Sequence, residues 1–264
     1  HFHAAGGMGF VIRELVAGGL LIGDAAGIGG PISDYAQEPF LQDGQLAWRA
    51  APTQSGDLDV LRPASDPFQP DGGLRLMDGP LGRGVTKASA VKPEHRIVEA
   101  PARIFDSQEA FRMAYQAGEL NRDVVAVVRF QGPSANGMPE LHSLSPILGA
   151  LQDKGFKVAL VTDGRMSGAS GKVPSAIHIS PEAAKGGALA QVRDGDLLTV
   201  NCDAGRLEID ISEIDLAERP LATFRSNEAQ SGLGRDLFTA FRSGVSDADT
   251  GASLFNLLQS GAIL

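Results

Sequence analysis

Apolar residues form two short continuous runs in the middle of the chain, at residues 124–128 and 158–161. Runs of this length without intervening polar residues are typical of β-strands covered on both faces. The segment between them, residues 141–153, has the pattern of a helix and is followed by Gly155, a helix stop signal. The pattern therefore predicts a β-α-β unit with two parallel strands.

Shorter patterns on either side predict further strands and helices. Residues 85–89 and 96–99 alternate between apolar and polar positions, as half-buried strands do. Asp106 or Ser107 suits a helix N-cap, and Gly118 marks the end of that helix. The other predicted elements are a strand at 102–105, a helix opening at 181–184, a hairpin of strands 196–201 and 206–211, a short helix from Ser212, and helices at 234–241 and 252–259.

Composition divides the chain into three parts. Residues 1–24 hold a helical pattern that needs a partner surface. Residues 25–83 are dense in Gly, Pro, Asp and Gln and predict a connector with sparse regular structure, which either wraps over the surface with short strands or is partly disordered. Residues 84–264 carry the strand and helix patterns of an α/β domain. Because the chain begins at His1 with a helix close behind, we expect a fragment that lacks an N-terminal region.

Charge and cysteine content narrow the classes of function. The 264 residues include 23 Lys and Arg against 32 Asp and Glu, and this formal net charge of −9 disfavours nucleic acid as a partner. No apolar stretch of about 18 residues is present to span a membrane. Cys202, the single cysteine, cannot by itself form an internal disulfide, a Cys-rich zinc site or the full ligand set of an iron–sulfur cluster. These features fit a reducing compartment, and we expect the cytoplasm.

Both buried strands are followed by polar segments rich in glycine or proline, residues 131–140 and 162–172. Parallel strands joined by a crossover place their carboxyl ends at the same edge of a sheet, where ligands bind in such folds. We therefore expect Glu140 and Ser167 to face one cleft, although 27 positions separate them.

The second of these segments suits an anionic substrate. Its glycines free backbone N–H groups to face an anion. Arg165 and Lys172 add positive charge beside the hydroxyls of Ser167 and Ser170. A nucleotide-binding Walker loop is excluded, because Val173 stands where Ser or Thr should follow the lysine.

Structural interpretations compete with the chemical ones. Glu140 follows a proline at a predicted helix start, where a carboxylate also suits the helix dipole. Ser167 lies in a glycine-rich loop, where a serine is more often a turn residue than a nucleophile or a base. Structural roles are also expected for His95, His142, His178 and Cys202.

The segment 158–168, VALVTDGRMSG, resembles the strand-and-loop signature of the dihydroxy-acid and phosphogluconate dehydratase family. Further matches follow at residues 181–183, PEA, and 192–196, VRDGD. The resemblance covers nearly the whole chain. Details that favour the phosphogluconate branch over the branched-chain dihydroxy-acid branch lie at residues 91–96, 137–142, 165–174 and 232–238.

The resemblance implies both a fold and an activity. The implied fold is a C-terminal swivelling β/β/α barrel-like domain, preceded by a helical remnant of a missing N-terminal domain. The implied activity is the dehydration of 6-phospho-D-gluconate to 2-dehydro-3-deoxy-6-phosphogluconate in the Entner–Doudoroff pathway, by a cytoplasmic homodimer. The expected partners are thus a phosphorylated sugar acid and a second copy of the chain, with neither nucleic acid nor membrane.

The same resemblance implies a catalytic centre that combines Mg²⁺ with a [4Fe-4S] or [2Fe-2S] cluster, whose open iron acts as a Lewis acid on the departing hydroxyl. Ser167, as an alkoxide, would be the base that removes the C2 proton, and Glu140 would be a magnesium ligand. The residues expected to bind the substrate are Arg165, Gly168, Ser170 and Lys172. The cluster-ligating cysteines and the remaining magnesium ligands belong to the missing half, so we expect this chain alone to be inactive.

Two other functions stay open at this point. The first is dehydration of a different sugar acid or of a branched-chain dihydroxy acid by the same chemistry. The second is a non-catalytic anion-binding module, in which the segment 164–172 captures phosphate and Glu140 only caps a helix.

Overall fold

The computed structural model describes residues 1–69, 72–166, 171–224 and 232–255. The chain divides into two compact units, His1–Asp71, which we call the N-terminal unit, and Gly72–Leu264, which we call the barrel unit. None of the helices in the described ranges combines the length and the apolar character needed to span a lipid bilayer.

The N-terminal unit contains one helix and two small antiparallel pairs of strands. Helix α1, Gly7–Ala17, buries Phe10. The strands are β1 Ala26–Gly27, β2 Gly30–Pro31, β3 Gln37–Gln42 and β4 Gln45–Ala50, with a 3-10 turn at Ile32–Tyr35. Asp43 and Gly44 join β3 to β4, and both have positive φ angles, as the turn of a two-residue hairpin requires.

Eight strands of the barrel unit close into a ring, which confirms the α/β class with a barrel-like sheet. They are β5 Leu74–Gly79, β6 Gly82–Lys87, β7 Ile97–Phe105, β8 Val124–Val128, β9 Val158–Thr162, β10 Ser175–Ser180, β11 Leu197–Asn201 and β12 Arg206–Ile209. The order around the ring is β10, β6, β5, β12, β11, β7, β8, β9. Neighbours from β7 to β10 are parallel, β12 and β5 are parallel, and the other pairs are antiparallel.

The strand β8 is buried on both faces. Val125 and Val127 point into the core inside the barrel, whereas Val124, Ala126 and Val128 pack in a second core that includes apolar side chains of the helices outside the barrel. This double coverage is the reason for the continuous apolar run in the sequence.

Helices flank the ring. Their bounds are α2 Gln108–Gln116, α3 Pro133–Asn136, α4 Leu144–Asp153, α5 Glu213–Ala217, α6 Leu233–Leu237 and α7 Thr239–Gly244. Ser107 is the N-cap of α2, since its Oγ accepts a hydrogen bond from the Ala110 N–H at 3.1 Å, and Ser212 caps α5 in the same way. The β8-α4-β9 unit and both caps agree with the sequence patterns.

The predicted three-part division differs from the structure. The β3–β4 hairpin agrees with the short strands expected in the stretch 25–83, but this stretch is not one connector, because it also contains all of β5. The boundary between the two units lies at Asp71 and Gly72 rather than after residue 83. β5 belongs to the barrel because it pairs with β6 along its whole length and meets β12 on its other side.

Other predicted elements also differ from the structure. The strands predicted at 96–99 and 102–105 are one strand, β7, which pairs with β11 through residues 97–101 and with β8 through residues 102–105. The helix predicted from residue 181 is only a 3-10 turn, Ala183–Lys185. Of the helix predicted at 252–259, residues 252–255 are not helical and the others lie outside the described residues.

Candidate active site

Two loops leave the same edge of the barrel and meet. β8 and β9 run parallel with Val128 opposite Thr162, so the β8 loop, residues 129–143, and the β9 loop, residues 163–174, start side by side. Glu140 and Arg165 form an isolated parallel bridge between the loops. The Leu141 N–H donates to the Arg165 carbonyl oxygen at 3.0 Å. The predicted meeting of the two strand ends is confirmed by this bridge.

Glu140 is exposed at this junction. Among the residues that the structure describes, no hydrogen bond or ion pair engages its carboxylate, whereas its backbone oxygen lies 3.5 Å from the Gln108 amide nitrogen. Helix α4 begins at Leu144 with Ser143 as its N-cap, so the helix-cap interpretation of Glu140 is wrong. The carboxylate is therefore open to a ligand.

Arg165 lies across the bridge from Glu140. Its Nε donates to the Met138 carbonyl oxygen at 2.7 Å, which fixes the guanidinium stem against the β8 loop and leaves the remaining N–H groups exposed. Ser167, the base that the family resemblance implies, and Gly168 and Ser170, which are expected to bind the substrate, lie outside the described residues.

Lys172 is not brought to the bridge. Its ammonium donates to the Asp153 carboxylate at 2.6 Å. Asp153 is the last residue of α4, about 15 Å along that ten-residue helix from the end nearest Glu140. The structure thus brings together Glu140 and Arg165, but holds the ammonium of Lys172 toward the opposite end of α4.

A buried carboxylate, which the sequence analysis did not single out, joins the two loops. Asp163 is fully buried, and its Oδ1 accepts from the Gln131 N–H at 2.9 Å. Its Oδ2 accepts from the Phe130 N–H at 3.1 Å and from the Ala183 N–H at 3.0 Å. Burial raises the pKa of Asp163 to about 6 even though these donors lower it, and the nearby Glu182 carboxylate adds to the rise.

Glu182 is the second buried carboxylate below the β8 loop. It is 2% exposed and accepts hydrogen bonds from the Ser134 N–H at 2.8 Å and the Ala135 N–H at 3.1 Å. Gly132 lies against it so closely that a Cβ there would come within 2.3 Å of Glu182 Oε2. The sequence signal that could have identified Asp163 was its position directly after a buried strand, at the carboxyl edge of a parallel sheet.

His178 approaches the β9 loop from β10. Its backbone N–H donates to the Gly164 carbonyl oxygen at 2.9 Å. Burial, together with the Arg165 guanidinium, lowers the pKa of its imidazole. A neutral imidazole fits the expected structural role. Cys202 is buried beside Thr86, with 3.3 Å between Sγ and Oγ1, and burial raises the pKa of its thiol.

The described residues of this site fit a magnesium ion but not an iron–sulfur cluster. Glu140 offers an exposed carboxylate, the hard oxygen ligand that Mg²⁺ prefers. No cluster of three or more His, Cys, Asp or Glu suited to a metal occurs among the described residues, so Glu140 would be a single ligand from this part of the chain. Cys202 does not fit an iron–sulfur ligand, because it is enclosed in the barrel core with a protonated thiol favoured.

Comparison with known proteins places the whole arrangement in a family. Residues 59–252 match the model of the dihydroxy-acid/6-phosphogluconate dehydratase C-terminal domain. The phosphogluconate dehydratase of Pseudomonas aeruginosa is 57% identical over 97% of this chain and 42% of its own length, and that of Zymomonas mobilis is 52% identical over 95% and 41%. A dihydroxy-acid dehydratase of Roseiflexus castenholzii is 37% identical over 84% of this chain and 37% of its own length.

The chain spans about two fifths of the length of these curated relatives. The family match covers most of the chain, including all eight strands of the barrel and both loops that meet at Glu140 and Arg165. The chain therefore belongs to the dihydroxy-acid/6-phosphogluconate dehydratase family.

Proposed function

We propose that the chain is the C-terminal part of a phosphogluconate dehydratase, which converts 6-phospho-D-gluconate to 2-dehydro-3-deoxy-6-phosphogluconate with loss of water. The observation that carries the proposal is the Glu140–Arg165 bridge, because it sets an exposed carboxylate and an exposed guanidinium at one sheet edge. Relatives with the phosphogluconate name are also more similar to the chain than the dihydroxy-acid relative.

In the proposed reaction, Ser167 acts as a base on C2 of the substrate. Its alkoxide takes the C2 proton, the electron pair of the broken C–H bond forms the C2–C3 double bond, and the C3 hydroxyl leaves as water once it has gained a proton. The resulting enol becomes the 2-keto product by moving its hydroxyl proton to C3. A serine hydroxyl is a weak acid, so cationic charge and N–H donors must stabilise the alkoxide, and Arg165 is two residues away in sequence.

Glu140 is the proposed ligand of Mg²⁺ in this part of the chain. The bound ion would neutralise charge on the substrate carboxylate and the negative charge that develops beside it as the C2 proton is removed. Because Cys202 does not fit a cluster ligand, we propose that any iron–sulfur cluster is held by residues outside this chain. The 264 residues alone should then have no dehydratase activity.

Arg165 is the proposed contact for an anionic group of the substrate, because its exposed guanidinium can bind a carboxylate or a phosphate in bidentate fashion. Gly168 and Ser170 are proposed to contribute donors from the same loop. The ion pair with Asp153 argues for a structural role of Lys172 instead. We also propose a cytoplasmic homodimer acting in the Entner–Doudoroff pathway, as the family resemblance implies.

The proposal is tested in the complete natural polypeptide that contains these residues. Ser167→Ala should lower kcat by about 10²- to 10⁴-fold with little change in KM, since it removes a general base. Ser170→Ala, the same substitution three residues away, should instead raise KM and leave kcat nearly unchanged. Full turnover by Ser167→Ala would refute the base.

The substrate is tested with three compounds in parallel. The unaltered polypeptide should turn over 6-phosphogluconate faster than gluconate or a branched-chain 2,3-dihydroxy acid. A preference for either competitor would assign the same chemistry to a different substrate. Phosphate binding without turnover of any of the three, at full metal and cluster occupancy, would favour the anion-binding module.

A further inference from the structure

The three-residue segment 163–165 is surrounded by strained backbone. Phe130, Met138 and His178 all have positive φ angles of 50–61°, a region that side-chain-bearing residues rarely adopt. Each of the three is bonded to this segment: the Phe130 N–H donates to Asp163, the His178 N–H donates to Gly164, and the Met138 carbonyl accepts from Arg165. Such conformations persist where the surroundings hold them in place.

The Asp163 carboxylate links three segments of the chain. Its carboxylate accepts N–H groups from the start of the β8 loop, at Phe130 and Gln131, and from the turn after β10, at Ala183. It is itself the first residue of the β9 loop. Because the carboxylate is fully buried, water cannot replace any of these three bonds if the carboxylate is altered.

Glu182 fixes a later part of the β8 loop in the same way. It binds the N–H groups of Ser134 and Ala135 at the start of α3, and Gly132 allows the close approach. Two buried carboxylates near each other repel, and this repulsion costs stability. We therefore expect that another requirement maintains them. Positioning of the two loops is such a requirement, because small displacements of catalytic groups have large effects on rate.

We propose that Asp163 is a positioning residue, whose buried carboxylate sets the β8 loop and the start of the β9 loop, with Glu140 and Arg165, in the relative placement that the reaction needs. Glu182 supports the same placement through α3. This inference rests on the proposed function, and it adds a role for a residue that does not touch the substrate.

The central variant is Asp163→Asn in the complete natural polypeptide. The amide keeps the size of the carboxylate, but its NH₂ group faces an N–H donor and cannot accept a hydrogen bond. We expect kcat to fall about 100-fold with KM changed less than about threefold. We also expect faster hydrogen exchange at the amides of Phe130, Gln131 and Ala183, a measurement that needs no bound metal, cluster or substrate.

A matched control separates positioning from general stability. Leu198→Ala removes a fully buried side chain from β11, two places from β8 in the ring, and should lower the unfolding temperature while leaving kcat and the exchange of the loop amides nearly unchanged. Both variants are assayed at a temperature at which each is folded. An equal loss of kcat in Leu198→Ala would refute the positioning role, as would normal kcat in Asp163→Asn.

Glu182→Gln provides the second variant should Asp163→Asn fail to fold. It leaves the three Asp163 bonds intact and should lower kcat about tenfold, with faster exchange only at the amides of Ser134 and Ala135. Unchanged kcat and exchange in Glu182→Gln would then overturn the inference. If Ser167→Ala keeps full activity, the proposed base fails, whereas the exchange measurements still decide whether Asp163 holds the loops.

Discussion

The β3–β4 hairpin and the β8–β9 pair are both two-strand pairings of five or six residues, yet their side chains have opposite surroundings. In the hairpin, Leu41 and Leu46 lie opposite each other and are 74% and 65% exposed. In β8 and β9, every side chain is buried, either inside the barrel or in the core beside it. The backbone is paired in both cases, so pairing alone does not explain the difference.

The comparison shows that functional groups are held in fixed positions where the strands beneath them are buried on both faces. A two-stranded pair that buries few of its side chains is marginal in water, because most strand stability comes from side-chain burial. The β8–β9 pair packs between two hydrophobic cores, and the polar groups of this region lie beyond the strand ends. Glu140, Arg165 and Asp163 all occupy that edge, where a rigid base supports them.

The largest expected effect is on the free energy of unfolding, and a Leu→Ala substitution in each strand pair measures it. Leu160→Ala, at a fully buried position of β9, should lower the free energy of unfolding by about 2–5 kcal/mol. Leu41→Ala, on the exposed face of the hairpin, should change it by less than about 0.5 kcal/mol. Urea unfolding followed by circular dichroism measures both, and fluorescence of Trp48, the single tryptophan, reports the hairpin alone. Equal losses would end the contrast between the pairs.

The next effect is a pH dependence that originates at the buried edge. The folded-state pKa of Asp163 is raised from 3.8 to about 6, so its stabilising contribution is fully present below the unfolded pKa and is lost as the pH rises through 6. The shift corresponds to about 3 kcal/mol. The unfolding free energy of the unaltered chain, relative to Asp163→Asn, should therefore fall between about pH 4 and pH 7. A difference that is constant over this range would contradict the raised pKa.

Two glycine substitutions test how tightly each region is packed. Gly132→Ala places a Cβ against the Glu182 carboxylate and should cost about 1–3 kcal/mol by overpacking. Gly44→Ala, in the hairpin turn, meets no atom within 4 Å and should cost about 1 kcal/mol, through its positive φ angle alone. Thermal unfolding provides the comparison. The two costs should also differ in kind, because only Gly132→Ala should lower kcat.

The smallest effect concerns the two cations of the β9 loop. Lys172→Met should reduce stability by less than about 1 kcal/mol, since its ion pair with Asp153 is exposed, and should leave KM for 6-phosphogluconate unchanged. Arg165→Met, at the bridge, should raise that KM at least tenfold, at about 1.4 kcal/mol for each factor of ten. A larger KM effect for Lys172→Met would return that residue to substrate binding.

Much of the site region could be predicted because its signals are local. The apolar runs of β8 and β9 report burial on both faces, and the crossover through α4 makes them parallel, so the meeting of their carboxyl ends follows from the sequence. Side-chain type likewise indicated the cap Ser212 and narrowed the other cap to Asp106 or Ser107, of which the structure shows Ser107. The turn of the β3–β4 hairpin also carried a local signal, Asp43-Gly44, within a stretch whose Gly and Pro content pointed to a connector.

What the sequence by itself determined is thus the set of strands and helices with strong periodicity, the edge that bears the polar loops, and the family. Only the tertiary structure decided that β5 belongs to the barrel, that β7 is one strand shared by two pairings, and that Asp163 and Glu182 lie under the same loop. These features depend on closure of the ring, which brings together segments distant in sequence. Local hydrophobic pattern records how far a residue is buried, but not which distant residue buries it.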